Sequence, residues 1–207
     1  MFALTDADLQ KSIVGCGDGP ASFNAELTKQ GGRVVSFDPV YSFTAAEIAS
    51  RFEESADSVM GQVRSSPDSW TWKYHKNPDD LLQNRRDALA LFLADFESGK
   101  VDGRYLAGEF PVLDFPNSKF KLALCSHFLF LYSKHFSLDF HRTSILEMCR
   151  IAKEVRVFPI LTLKQEMSPY LEPIIEELCG IGFQAEVRKV NYELQKNGNQ
   201  ALFITRL

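Results

Sequence analysis

Ile13-Val14-Gly15-Cys16-Gly17-Asp18-Gly19-Pro20, followed by Arg33-Val34-Val35-Ser36-Phe37-Asp38, decides the fold. The first run reads as a strand that breaks into a glycine turn and a helix, and the second as a strand that ends on an acid. A backbone that must approach a ligand closely needs residues without a Cβ and with free access to positive φ. A carboxylate at the end of the next strand can accept both hydroxyls of a ribose. The two together describe a nucleoside-binding corner. The glycine spacing is G-x-G-x-G followed by Pro20, so the third glycine falls one residue too early for the dinucleotide pattern.

Working outward, Thr5 is placed to cap a short helix over Asp6–Lys11, with a strand over Ser12–Cys16 after it. Pro20 suits the first turn of the next helix, which carries Phe23 and Leu27 on one face and stops at Gly31-Gly32. Arg33–Phe37 is a strand. Thr44-Ala45-Ala46-Glu47 is a capping box. Beyond it Ile48, Phe52, Ala56, Val59, Met60 and Val63 recur at helical spacing. Pro78-Asp79-Asp80 opens another helix, to about Glu97, with Leu82, Leu89, Leu93 and Phe96 on one side. A short strand at Arg104–Ala107 and an apolar strand at Phe120–Ser126 follow. Asp139 caps a helix to about Ala152, and Glu154–Leu161 is a strand. Ser168-Pro169 starts a helix that ends at Gly180 or Gly182. Phe183–Tyr192 and Gln200–Thr205 close the chain as two strands, joined through the turn signal Asn197-Gly198. Alternating strands and helices imply a parallel sheet with helices on both faces, and the last hairpin adds one antiparallel strand.

At 207 residues the chain is long enough for one domain with a full core, here residues 1–207 with a helical insertion at about 40–102. The formal net charge of −4 offers no general attraction to a phosphate backbone, so nucleic acid is not the expected partner. No apolar run is long enough for a membrane span and no secretory signal is visible. Cys16, Cys125, Cys149 and Cys179 are widely spaced, without a zinc pattern, as expected of buried thiols in a cytoplasmic protein. Oligomeric state cannot be read from the sequence.

The G-C-G-x-G turn resembles the first motif of the class I S-adenosylmethionine-dependent methyltransferases. Gly108-Glu109-Phe110-Pro111-Val112-Leu113-Asp114-Phe115-Pro116-Asn117-Ser118-Lys119-Phe120 is similar to that family's G-D-A-x-x-L-P-F-P-D-x-S-F segment. The resemblance covers most of the chain. It implies a Rossmann-like α/β fold, with a seven-stranded, mostly parallel sheet and one antiparallel strand. It implies S-adenosyl-L-methionine as cofactor, held by Gly15, Cys16, Gly17, Asp18, Gly19, Asp38, Pro39, Glu109, Phe110 and Ser126. Within this set the glycines line the methionine half, Asp38 takes the ribose hydroxyls and Glu109 lies near the adenine amino group.

The implied activity is methyl transfer to an unidentified acceptor, with a small molecule favoured by composition. The alternative is a non-catalytic module that binds S-adenosylmethionine or S-adenosylhomocysteine and acts through a protein partner. A nicotinamide-dependent oxidoreductase is a third reading, opposed by the early third glycine. The family often carries an acid two residues before the first glycine, where this chain has Ile13.

Cys125-Ser126-His127-Phe128 follows the fourth strand, where the family places its reaction centre. His127 is either a base that takes a proton from the acceptor or a structural histidine bonded to a neighbouring loop. His127, His135 and His141 do not share one helical face, and no metal is expected. Trp70, Trp72, Tyr74 and His75 lie in the long connection between the second and third strands, as a substrate lid or as packing for the sheet. Arg85-Arg86 either faces an anionic substrate or forms a solvated helix face.

Overall fold

The computed structural model describes residues Met1–Leu207. Seven strands form one sheet: β1 (Ser12–Cys16), β2 (Arg33–Phe37), β3 (Tyr105–Leu106), β4 (Phe120–Ser126), β5 (Ala152–Phe158), β6 (Phe183–Lys189) and β7 (Gln200–Arg206). Their order is β3-β2-β1-β4-β5-β7-β6. All pairs from β3 to β5 are parallel, and β7 runs antiparallel to both β5 and β6. The helices are α1 (Asp6–Leu9), α2 (Phe23–Lys29), α3 (Ala45–Ser65), α4 (Pro78–Val101), α5 (Leu138–Ile151) and α6 (Leu171–Gly180). None is long and apolar enough to cross a membrane.

Period-two alternation distributes the strands' side chains between two cores. On one face Val14, Ala123, Val155 and Leu202 pack with Ile145 and Met148 of α5 and Leu171 and Ile174 of α6. On the other, Ile13, Val34, Leu122 and Leu124 pack with Leu27 of α2. At the β3 edge Tyr41, Phe92, Phe96 and Tyr105 form an aromatic knot with ring centroids 4.8 to 5.9 Å apart. Each such pair adds about 0.5–1.5 kcal/mol beyond area burial. That knot fixes α4 against the sheet edge.

Several boundaries differ from the sequence expectation. Pro20 stays in the loop, and Ser22 is the N-cap residue of α2. α5 is capped by Ser137, whose side chain accepts from the Phe140 N–H, so Asp139 sits in the first turn instead. β5 starts earlier and ends at Phe158, because Pro159 lacks the N–H that would continue the ladder. Three cysteines are buried but Cys179, on the outer side of α6, is exposed. The Thr44 capping box and α3 fall where expected.

Candidate functional site

Strand order reverses between β1 and β4, and such a switch point leaves a crevice beyond the carboxyl ends of the strands. The glycine turn leaves β1 at this point. Gly17 has φ +64° and Gly19 φ +60°, the left-handed region that a side chain disfavours. A Cβ on Gly17 would stand 3.0 Å from the Phe128 ring, so the loops after β1 and β4 pack directly together. The Phe128 ring in turn lies parallel to Phe110, at 5.8 Å and 10°. The segments after β1, β3 and β4 thus meet around one point.

Asp38 ends β2 and spans the corner. One carboxylate oxygen accepts the Gly19 N–H at 2.9 Å and the other accepts the Val40 N–H at 2.8 Å. Each oxygen has a second lone pair left for a ligand hydroxyl. Burial raises the Asp38 pKa and these two backbone donors oppose the rise. The Tyr41 hydroxyl donates to the Gly19 carbonyl at 2.7 Å and clamps the far side of the turn.

Asp18 turns inward. Its carboxyl group occupies the space a Gly15 Cβ would fill, at 2.4 to 2.6 Å from that position. The Ser36 hydroxyl donates to it at 2.5 Å, and the Asn24 amide donates to Ser36 at 3.0 Å. Burial, with a smaller contribution from the Asp38 charge, pushes the Asp18 pKa up to about 6, and the Ser36 bond only partly offsets this. Ile13, two residues before Gly15, is fully buried in the apolar cluster with Leu27 and Val34. Ile13 and Gly15 project to the same face of β1. Asp18 therefore places a carboxylate over the face on which Ile13 has none.

The other expected site residues divide by location. Cys16 points into the core, where burial keeps its thiol protonated, so only its backbone reaches the turn. Cys125 is likewise pushed up to about 12 by burial. Pro39 is exposed at the start of a 3₁₀ turn over Pro39–Ser42. Glu109 is exposed, next to the buried Phe110. Ser126 is the last residue of β4 and pairs with Phe158.

His127 follows with φ +54°, and its backbone N–H donates to the Phe158 carbonyl at 2.7 Å. Its ring lies edge-on to Phe158 at 5.4 Å. Dense surroundings, the Arg85 charge and the chain's amino group lower its pKa, in that order. Solvent reaches the outer side of the residue, which limits the shift, and the imidazole is neutral at pH 7 in either case. His141 is elsewhere, buried and bonded to the Ser137 and Leu129 carbonyls at 2.8 Å each.

The segment between α3 and α4 forms a strap bonded to the β6–β7 connection. The Thr71 N–H donates to the Leu194 carbonyl at 2.8 Å and the Lys196 N–H to the Ser69 carbonyl at 2.9 Å. The Thr71 hydroxyl donates to the Glu193 carbonyl, and the Tyr74 hydroxyl to the Asn191 carbonyl, each at 2.7 Å. Tyr74 stacks on Tyr192 at 5.2 Å. The chain leaves β2 at its carboxyl end, and the β6–β7 connection lies at that same end of the sheet. The strap is therefore anchored on the β6–β7 connection, at the carboxyl end of the sheet. A separate cleft of about 320 Å³, lined by Ser12, Arg33, Arg104 and Lys119 among others, opens at the amino ends of the strands, away from the glycine turn.

Three elements of this site were not anticipated: the Ser36–Asn24 support under Asp18, the Tyr41 clamp and the strap's anchorage on residues 191–196. Ser36 carried a signal, a polar residue on an otherwise apolar strand face.

No family model matches the chain. The uncharacterised protein MJ0045 of Methanocaldococcus jannaschii is 31% identical over 207 residues, covering 100% of this chain and 90% of that protein. The crystal structure of magnesium protoporphyrin IX methyltransferase from Synechocystis PCC 6803 with bound SAM matches with a TM-score of 0.50 and 13% identity, over 98% of this chain and 73% of that one. The same enzyme with bound SAH matches with a TM-score of 0.50 and 12% identity, over 98% and 77%. At such identities the likeness is one of fold. The chain therefore belongs to one family with the archaeal protein MJ0045, and its fold is that of the class I S-adenosylmethionine-dependent methyltransferases.

Proposed function

We propose that the protein transfers a methyl group from S-adenosylmethionine to a small-molecule acceptor. The observation that carries this reading is the corner at the switch point. There Asp38 faces the positive-φ glycine turn with one lone pair free on each oxygen. The structural neighbour holds SAM or SAH on the same fold.

The residues fit that group. Asp38 accepts the two ribose hydroxyls, and the bare backbone of Gly17 and Gly19 admits the methionine portion at close range. Asp18 supplies, from within the turn, the carboxylate that position 13 lacks, and it faces the methionine ammonium. Phe110 and Glu109 flank the adenine, Phe110 as a wall fixed by Phe128 and Glu109 as an acceptor for the exocyclic amine.

The cofactor supplies a methyl already activated by a sulfonium. The protein's own contribution is alignment and exclusion of water. The strap, anchored on the β6–β7 connection at the carboxyl end of the sheet, shields the reacting end from that side. His127, neutral and beside β4, takes the proton that a hydroxyl or amine acceptor loses as it gains the methyl. Cys16 and Cys125 take no part as nucleophiles, because their thiols stay protonated.

Calorimetric titration with S-adenosylmethionine and S-adenosylhomocysteine tests the cofactor half, and NAD is the control. Micromolar binding of the first two and none of NAD is expected. Absence of binding by both would overturn the reading.

A further inference from the structure

The two edges of the sheet are finished differently. β3 is only two residues long, Tyr105–Leu106, and α4 packs beside it through the aromatic knot. β6, at the other edge, runs seven residues, Phe183–Lys189, and pairs with β7 one to one without a bulge. No proline follows Pro173 in the chain. Brevity, bulges and prolines are common means of stopping an edge from pairing further, and β6 has none of them. It carries charge instead, at Glu186, Arg188 and Lys189.

The pairing with β7 fixes which main-chain groups of β6 are left over. The Leu207 N–H donates to the Gly182 carbonyl at 3.1 Å and the Val190 N–H to the Asn199 carbonyl at 2.8 Å. Antiparallel bonding alternates, so the even-numbered residues turn to β7, and Ala185, Val187 and Lys189 present their N–H and C=O groups outward. Side chains alternate too. Phe183, Ala185 and Val187 join the core on the α6 face, while Glu186 and Arg188 form an ion pair on the other face, each about half exposed. A second β6 laid antiparallel, with Val187 against Val187, aligns the outward groups of Ala185, Val187 and Lys189 with those of its copy. It also sets Glu186 opposite the partner's Arg188 on both sides of the dyad, in the close, non-hydrogen-bonded positions of the ladder. Moving the centre by one residue puts Glu186 against Glu186 or Arg188 against Arg188. Charge therefore selects the register centred on Val187.

We propose that β6 is a dimerisation edge, where a second copy of this chain pairs antiparallel about Val187 and joins the two sheets into one. This pairing does not depend on the methyl-transfer reading, and β4, β5 and β7 separate the edge from the glycine turn. Pairing along one strand buries less than a standard interface, so the dimer is a weak one with a micromolar dissociation constant. β6 leads directly into residues 191–196, which hold the strap, so pairing steadies that anchor in both copies.

Sedimentation velocity of the full-length protein, from low-micromolar to sub-millimolar concentration, tests this. The wild type is expected to shift from monomer to dimer as concentration rises. Glu186→Arg and Arg188→Glu, each alone, set like charges across the dyad and are expected to weaken the dimer about tenfold or more. Mixed in equal amounts, the two variants are expected to pair again, because every facing pair is then of opposite sign. Val187→Pro removes one outward N–H, leaves the bonds to β7 in place and is expected to stay monomeric. A wild type that remains monomeric over the whole range overturns the proposal. So does a dimer that the single charge variants or Val187→Pro keep at wild-type strength, or a mixture that stays monomeric while both variants retain the native circular dichroism.

Discussion

Replacing Asp38 by asparagine separates its two tasks. In the native protein each carboxylate oxygen takes one backbone N–H, from Gly19 at 2.9 Å and Val40 at 2.8 Å. A carboxamide of the same shape offers one oxygen and one NH₂ group, so one of these N–H groups meets a donor. An unsatisfied N–H costs about 1–3 kcal/mol. Against this, the buried charge that raises the Asp38 pKa is removed. The net loss of stability is then about 1–2 kcal/mol, a Tm lowered by roughly 2–8 °C for a chain of this size.

Cofactor binding suffers more. Two charge-assisted bonds to a ribose diol contribute about 1.5–3 kcal/mol each, and the amide retains at most one neutral acceptor. A loss of about 2–4 kcal/mol corresponds to roughly 30- to 700-fold weaker binding. Thermal unfolding and calorimetric titration with S-adenosylhomocysteine read the two effects separately. Binding by Asp38→Asn within about threefold of wild type, less than one charge-assisted bond, would refute the assignment of Asp38 to the ribose.

The two positive-φ glycines make a paired test. Gly17→Ala combines a left-handed φ with a contact at 3.0 Å to the Phe128 ring, whereas Gly19→Ala meets nothing within 4 Å. Both lose about 1 kcal/mol from conformation, and Gly17→Ala should lose about 1–2 kcal/mol more and bind cofactor poorly, as urea unfolding and titration would show. Asp18 sets a pH dependence. Its pKa is raised from 3.8 to about 6 in the folded state, so the folded protein binds more protons between those values and stability falls as pH rises through that window. Two pKa units limit the effect to about 3 kcal/mol, and Asp18→Asn should flatten the slope between about pH 4 and pH 6 in urea unfolding. Thr71→Pro removes the N–H that bonds the Leu194 carbonyl at 2.8 Å. Limited proteolysis should then cut between residues 66 and 77 while S-adenosylhomocysteine still binds, and an unchanged digestion pattern would show that the strap does not depend on this bond.

The strands around the site could be placed from local pattern alone. Ser12–Cys16, Arg33–Phe37 and Phe120–Ser126 were expected residue for residue, because each is a β-branched or apolar run bounded by turn residues, and burial on both faces leaves little freedom in where it ends. The glycine turn and the acid at Asp38 followed from the same reasoning, since backbone approach and a strand-end carboxylate are written in consecutive residues.

What lay beyond such patterns depends on direction and on distance along the chain. Asp18 folds back over Gly15 because Gly17 adopts φ +64°, and no periodicity encodes where a side chain points after a left-handed residue. The aromatic stretch at residues 70–75 shows no period because it packs through main-chain bonds to residues 191–196, more than a hundred positions away. Arg85 and Arg86 are neighbours in an acidic chain, yet one is tied to Glu53 and the other is left without a partner. Local chemistry determines which residues can build a nucleoside corner. Long-range packing decides what each side chain meets, and so which of them come together around that corner.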